Sequence, residues 1–182
     1  MNVSDAAQSI LSGGIIALPT EGVYGLSCHP NQSAALHRLI DLKQRPDNKG
    51  LILVAANQRQ LDGYVDWQKL PIDRQRVVWE SWPGPFTWIV PAKPTVSQLI
   101  LGQHRGVAVR VTDHPLLAEL CLLCQSALVS TSANFHGQPA VRTSDALDPE
   151  LVKQLEGVIS DQVGNATGPS TIRDAVSGVV LR

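Results

Sequence analysis

Four short polar clusters in this chain each adjoin an apolar run. Pro19-Thr20-Glu21 follows Ile15-Ile16-Ala17-Leu18, and Lys43-Gln44-Arg45-Pro46 precedes Leu51-Ile52-Leu53-Val54. Arg110 ends Val107-Ala108-Val109, and Ser130-Thr131-Ser132-Ala133-Asn134 follows Ala127-Leu128-Val129. Guanidinium, ammonium and hydroxyl groups suit phosphate and carboxylate oxygens better than a metal ion or an acyl-enzyme. Open α/β sheets bind ligands beyond the carboxyl ends of their strands, where loops converge. The clusters are therefore expected to form one concave, basic ligand site.

Each cluster also has a local reading. Lys43, Arg45 and Lys49 lie within seven residues and suit a polyphosphate, but cations at a helix end equally complement its carbonyls. On that second reading Lys43 and Arg45 are removable at little cost to the fold. The hydroxyls of residues 130–132 also occur in ordinary turns and caps. Arg110, at the end of a buried strand, requires an anion. Asp113 is the near candidate in sequence, and the carboxylate of a small substrate is the other. Thr20 and Glu21 have no such local explanation.

Several familiar chemistries are absent. The chain has no Gly-x-Ser-x-Gly elbow, no Walker A spacing and no Gly-x-Gly-x-x-Gly turn. Three cysteines argue against a disulfide framework. Cys121-Leu122-Leu123-Cys124 lies in an apolar helical segment without a second pair to complete a zinc site, and reads as packed thiols. Cys28-His29, adjacent on an extended segment, would point to opposite faces.

The frame that positions these residues is globular. With 182 residues and 43% hydrophobic content, the chain can bury a full core in one domain. Fifteen Lys and Arg against 16 Asp and Glu give a net charge of -1, so no global field attracts nucleic acid. No apolar run reaches membrane-span length. The expectation is a soluble, cytoplasmic protein.

Periodicity predicts a helix from Asn2 to Ser12 and a strand over Ile15–Leu18. A second helix is expected from Ser33 to Lys43, capped by Asn31 or Ser33 and stopped by Pro46. Leu51–Ala55 reads as a strand, and Gln58–Tyr64 and Asp73–Trp82 as helices. Trp82-Pro83-Gly84-Pro85 is a rigid turn, expected to position a site wall, before strand Phe86–Val90. Val107–Val111 is a strand, Pro115 opens a helix to Cys124, and Ala127–Ser130 is the next strand. Val158–Ser160 and Ile172–Asp174 close the sheet. Alternating strands and helices imply an α/β fold with a mixed, twisted sheet.

Pro19 to Leu26, Lys43 to Pro46, Lys49 to Leu53, Trp82 to Thr87, Val107 to Val111 and Ser130 to Asn134 occur together in this order, and the set resembles the YrdC-like family over residues 10–175. The resemblance implies a single YrdC-like domain over residues 1–182, with an open mixed sheet flanked by helices. It implies a nucleotidyltransferase that makes L-threonylcarbamoyladenylate and pyrophosphate from L-threonine, bicarbonate and ATP. Magnesium accompanies the ATP, and no protein metal site is implied. The product serves proteins that modify tRNA adenosine beside the anticodon, with tRNA or other RNA as a further partner.

By motif position, Lys43 and Arg45 would be catalytic. Lys43, Arg45, Lys49, Ser132 and Asn134 would hold ATP, and Thr20, Arg110, Ser130, Ser170 and Thr171 would hold threonine. Gly22 stands where some relatives carry a second threonine, and Val54 where some carry a histidine. The alternative function is an RNA-binding or ribosome-maturation factor using the same basic cleft.

Overall fold

The apolar runs become the strands of one sheet because each buries side chains on both of its faces. The structure, a computed structural model, describes residues 1–44 and 49–182. Its strands are β1 (Ile16–Pro19), β2 (Tyr24–Cys28), β3 (Ile52–Ala55), β4 (Phe86–Pro91), β5 (Gly106–Val111), β6 (Leu128–Ser132), β7 (Gly157–Val158) and β8 (Thr171–Asp174). They form an eight-stranded sheet in the order β7-β1-β2-β6-β3-β5-β4-β8. The sheet is mixed. Pairs β1/β7, β3/β5 and β4/β8 are parallel, whereas β1/β2, β2/β6, β3/β6 and β4/β5 are antiparallel.

The helices are α1 (Val3–Leu11), α2 (Ser33–Lys43), α3 (Ile72–Glu80), α4 (Gln98–Leu101), α5 (Pro115–Leu123) and α6 (Pro149–Val152). Asn2 caps α1 by accepting from Asp5 N, and Pro115 occupies the first turn of α5, where its missing N–H costs nothing. Side-chain alternation divides the core. Ala17, Leu26, Leu53, Val107, Val109 and Val129 face one layer with Leu36 and Leu39 of α2. Ile16, Leu18, Val54 and Leu128 face the other, against Ala6 and Ile10 of α1 and Leu117 and Leu120 of α5.

Some local expectations change. Tyr24–Cys28 is a full strand absent from the expected elements: Tyr24, Leu26 and Cys28 face the core and alternate with Gly25, a weak strand former, and Ser27, in a segment too short to stand out beside the continuous apolar runs. Gln58–Leu61 is a 3-10 turn rather than a helix to Tyr64. Neither Asn31 nor Ser33 caps α2: Gln32 occupies that position without a side-chain bond, and Gln44 ends the helix in the left-handed region at φ 45°. The turn at residues 82–85 does not line the cavity described below. It anchors the start of β4 instead, with Gly84 N donating to Val111 O at 3.0 Å.

Leu53 is fully buried in β3, between β5 and β6. Leu53→Ala is expected to cost about 2–5 kcal/mol of stability through lost burial and a residual cavity. Urea unfolding checks this, with a lower midpoint and an unchanged slope.

Candidate active site

One face of the sheet is only partly covered by helices, and the uncovered part is a cavity. Along β1, Ile16 and Leu18 pack under α1 and α5, whereas Thr20, next on that face, lines the cavity. Along β6, Leu128 is core, whereas Ser130 and Ser132 line the cavity. Gly106, Ala108 and Arg110 of β5 contribute on the same alternation, and the small residues at 25, 106 and 108 leave the floor open. The volume is about 240 Å³. It is not simply a cleft beyond carboxyl strand ends. β1 and β6 enter by their carboxyl ends, but β3 enters by its amino end at Ile52, because β3 runs antiparallel to β6.

Arg110 is 5% exposed, and its Nη2 lies 3.0 Å from Glu21 Oε2. Glu21 is therefore its partner, rather than Asp113, although Asp113 adds a favourable field. Glu21 Oε1 accepts from Thr112 Oγ1 at 2.7 Å, and Thr112 Oγ1 accepts from His114 N at 3.1 Å. Burial pulls the Arg110 pKa below its usual value, opposed mainly by Glu21. Among the described residues, Arg110 Nε has no hydrogen-bond partner, so donor capacity remains at the site.

The hydroxyls are positioned by turns and strand edges. Thr20 Oγ1 donates to Val23 O at 2.8 Å, and the Ser170 and Thr87 hydroxyls share a hydrogen bond at 2.7 Å. Lys43 is only 5% exposed, contrary to the expectation of a solvated helix-end cation. Its Nζ donates to Ser132 O at 2.6 Å, to Asn134 O, and to Asn134 Oδ1 at 3.2 Å. Removing Lys43 would strip these acceptors of a buried donor, so a small structural cost no longer follows. Asn134 Nδ2 donates to Phe135 O and Gln138 O, which closes the loop after β6.

The cavity thus brings together Thr20, Arg110, Ser130, Ser132 and Ser170. Lys43 and Asn134 stand behind Ser132 and do not line it, Lys49 is exposed beside the lining residue Gly50, and Thr171 is paired with Phe86 in β8. Arg45 lies outside the described residues.

Sequence reasoning missed Arg182, which lines the cavity and donates from Nη2 to Ser170 O at 3.2 Å. Partial withdrawal from water lowers its pKa, and the nearby Arg110 charge adds to this. Arg182 arrives because residues 179–182 fold back along β8, with Leu181 N donating to Ile172 O at 2.8 Å. The polar turn Ser177-Gly178 between β-branched residues was the available signal. Arg110 and Arg182 against Glu21 leave the wall with one more cation than anion.

The cysteines take no part in this site. Burial pushes the thiols of Cys28 and Cys121 up to about 12 and that of Cys124 up to about 11. At about pH 8 all three should be protonated, so a thiol reagent should stay nearly silent with native protein and titrate them after unfolding. Fast native labelling would contradict this. Glu21→Gln leaves Arg110 buried without its counter-charge and should lower stability by about 3–5 kcal/mol in chemical unfolding. Adding Arg110→Met should recover much of that loss.

The family model described as "Telomere recombination", of Sua5, YciO and YrdC proteins, matches residues 8–182. A Stenotrophomonas maltophilia protein named threonylcarbamoyl-AMP synthase is 49% identical over 182 residues, covering 100% of this chain and 98% of the relative. Among solved structures, a double-substituted P. abyssi Sua5 superposes with a TM-score of 0.92 at 28% identity, over 99% of this chain and 55% of that one. P. abyssi Sua5 complexed with L-threonine gives 0.84 at 28% identity, over 94% and 50%. This chain therefore spans about half the length of the P. abyssi protein, but nearly all of the S. maltophilia relative. With the match running through almost every residue, from the first helix to Arg182, the chain belongs to the Sua5/YciO/YrdC family.

Proposed function

We propose that this chain is a threonylcarbamoyl-AMP synthase. It joins L-threonine, bicarbonate and ATP into L-threonylcarbamoyladenylate with release of pyrophosphate, for the threonylcarbamoyl modification of tRNA adenosine next to the anticodon. The observation that carries the reading is a buried guanidinium, Arg110, held by Glu21 in a cavity ringed by the hydroxyls of Thr20, Ser130, Ser132 and Ser170. Such a site offers a fixed cation for one carboxylate and short hydroxyls for a small polar body. The full-length relative named for this activity supports it.

Arg110 binds the threonine carboxylate, with Thr20, Ser130, Ser170 and Thr171 around the amino acid. The threonine amine attacks carbon dioxide derived from bicarbonate and loses a proton, giving a carbamate. A carbamate oxygen then attacks the α-phosphorus of ATP, and the bond to pyrophosphate breaks with its electron pair leaving on that group. Magnesium bound to the ATP would supply neutralisation of phosphate charge. Ser132 and Asn134 meet the nucleotide from the loop that Lys43 braces, and Arg45 and Lys49 supply cations to the phosphates. Positioning and charge neutralisation provide most of the rate, because the protein forms no covalent intermediate.

Residues 1–182 act as one catalytic unit in the cytoplasm, handing the adenylate to proteins that transfer the group to tRNA. Among the described residues, no helix is long and apolar enough to cross a membrane.

Purified protein with ATP and magnesium should release pyrophosphate only when L-threonine and bicarbonate are both present. Omission of either should return the signal to background. Release that ignores threonine would overturn the assignment, and RNA binding without threonine dependence would favour the alternative.

A further inference from the structure

One wall of the cavity is a strap whose start is anchored by side chains, with the Tyr24 hydroxyl donating to Asp161 O at 2.7 Å, His114 Nε2 3.1 Å from Gln162 O and Val163 packed on the core, while the part beyond Val163 is mostly backbone. Residues 161–169 carry no regular secondary structure and run across the turn at residues 20–23. Gly22 and Val23 of that turn line the cavity, as do Gly168 and Pro169 of the strap and Ser170 at its end. Beyond Val163 the attachments are polar. Gly164 N donates to Thr20 O and Ala166 N to Glu21 O, both at 2.9 Å. Asn165, Thr167 and Pro169 are exposed, so no fully buried side chain anchors the strap between residues 164 and 169.

Two glycines allow backbone to lie on backbone here. A Cβ at Gly22 would come within 2.2 Å of Gly168 O, and one at Gly164 within 2.8 Å of Glu21 O. The strap therefore occupies the space that a larger residue at position 22 would need. The carbonyls of Gly22, Gly164 and Ala166 converge, and Arg142 meets all three from outside the cavity: Nη1 donates to Gly22 O and, at 2.8 Å, to Ala166 O, while Nη2 donates to Gly164 O at 3.4 Å. Arg142 itself is exposed and lies in a segment distant in sequence from both partners. A planar fork with donors on both arms suits this geometry, whereas a lysine ammonium cannot span it.

We infer that Arg142 is a positioning residue: its guanidinium latches the 161–169 strap onto the 20–23 turn and so sets the cavity wall and the placement of Ser170 around the amino-acid substrate. Gly22 is the second part of the latch, because its missing side chain lets the strap close. The substrate named here rests on the proposed function, whereas the latch itself does not. Without Arg142 the three carbonyls turn to water, so the expected effect is local opening of the strap and not global unfolding.

The test compares the full-length protein with Arg142→Ala, Arg142→Lys and Gly22→Ala by hydrogen exchange and steady-state kinetics. In Arg142→Ala, peptides covering 162–169 should exchange about tenfold faster, while those from β5 keep their protection. The KM for threonine should rise about tenfold with kcat changed by less than about twofold, since a wall that positions substrate is weakened and the reacting groups stay intact. Arg142→Lys should fall between wild type and alanine, and Gly22→Ala should reproduce the faster exchange while leaving Arg142 in place. Unchanged exchange in Arg142→Ala would overturn the latch. Faster exchange with an unchanged threonine KM would overturn the positioning role. If the wild-type protein does not turn threonine over, the proposed function fails, and the exchange data alone then decide the latch.

Discussion

Placing a guanidinium inside the sheet imposes a condition that much of the site then satisfies. Arg110 lies on β5 with almost no access to water, and its charge is tolerable there because Glu21 reaches it from the turn after β1. β1 and β5 are not neighbours: β2, β6 and β3 lie between them. The ion pair therefore spans the sheet face and draws the 20–23 turn over the uncovered strands. Thr112 Oγ1 holds the carboxylate from the far side and is itself held by His114 N, so Glu21 is fixed by more than the ion pair. A pair built this way is weak evidence of stabilisation but strong evidence of orientation, since a misplaced charge in this setting is costly.

The mixed strand order decides what meets at the cavity. β6 lies between β2 and β3 and is antiparallel to both, so its hydroxyl-rich carboxyl end stands beside the amino ends of those strands. That brings Ser130 and Ser132 next to Gly25 and Ile52, and the loop continues to Asn134 against the buried ammonium of Lys43. A cation at the end of α2 thus supports the loop after β6 from behind. In the proposed reaction its influence runs through that loop, which aims side chains at the nucleotide. In that proposal Lys49, which is exposed, meets phosphate oxygens directly.

The stability of the cavity walls is uneven. Its floor belongs to central strands whose opposite faces are buried in the larger core, with Val107, Val109 and Val129 fully excluded from water. Its roof is a strap whose start is anchored by the Tyr24 hydroxyl, the His114 ring and the packing of Val163, and whose later part is held by backbone hydrogen bonds and the exposed Arg142. If the Arg142 latch acts as proposed, rigid groups that orient a carboxylate are combined with a wall segment that opens without unfolding the sheet.

The sequence by itself determined most of the element types and the polar clusters at their ends, because those depend on local periodicity and on chain breakers such as Gly13 and Pro115. It showed Thr20, Arg110, Ser130 and Ser132 as candidates, and the family resemblance added Ser170; all five line one cavity. The partners of those residues were not legible. Glu21 and Arg110 are 89 positions apart, Lys43 and Ser132 are likewise 89 apart, and Arg182 reaches the site only after residues 179–182 fold back along β8. β2 was not among the expected strands because Gly25 and Ser27 interrupt its apolar residues and leave only a five-residue alternation to read. Pairing across the sheet, and with it which cation is buried, which is exposed and which carboxylate neutralises it, is decided by strand order. Local sequence does not encode strand order, because the free energy that selects it comes from side chains that meet only when the whole sheet has formed.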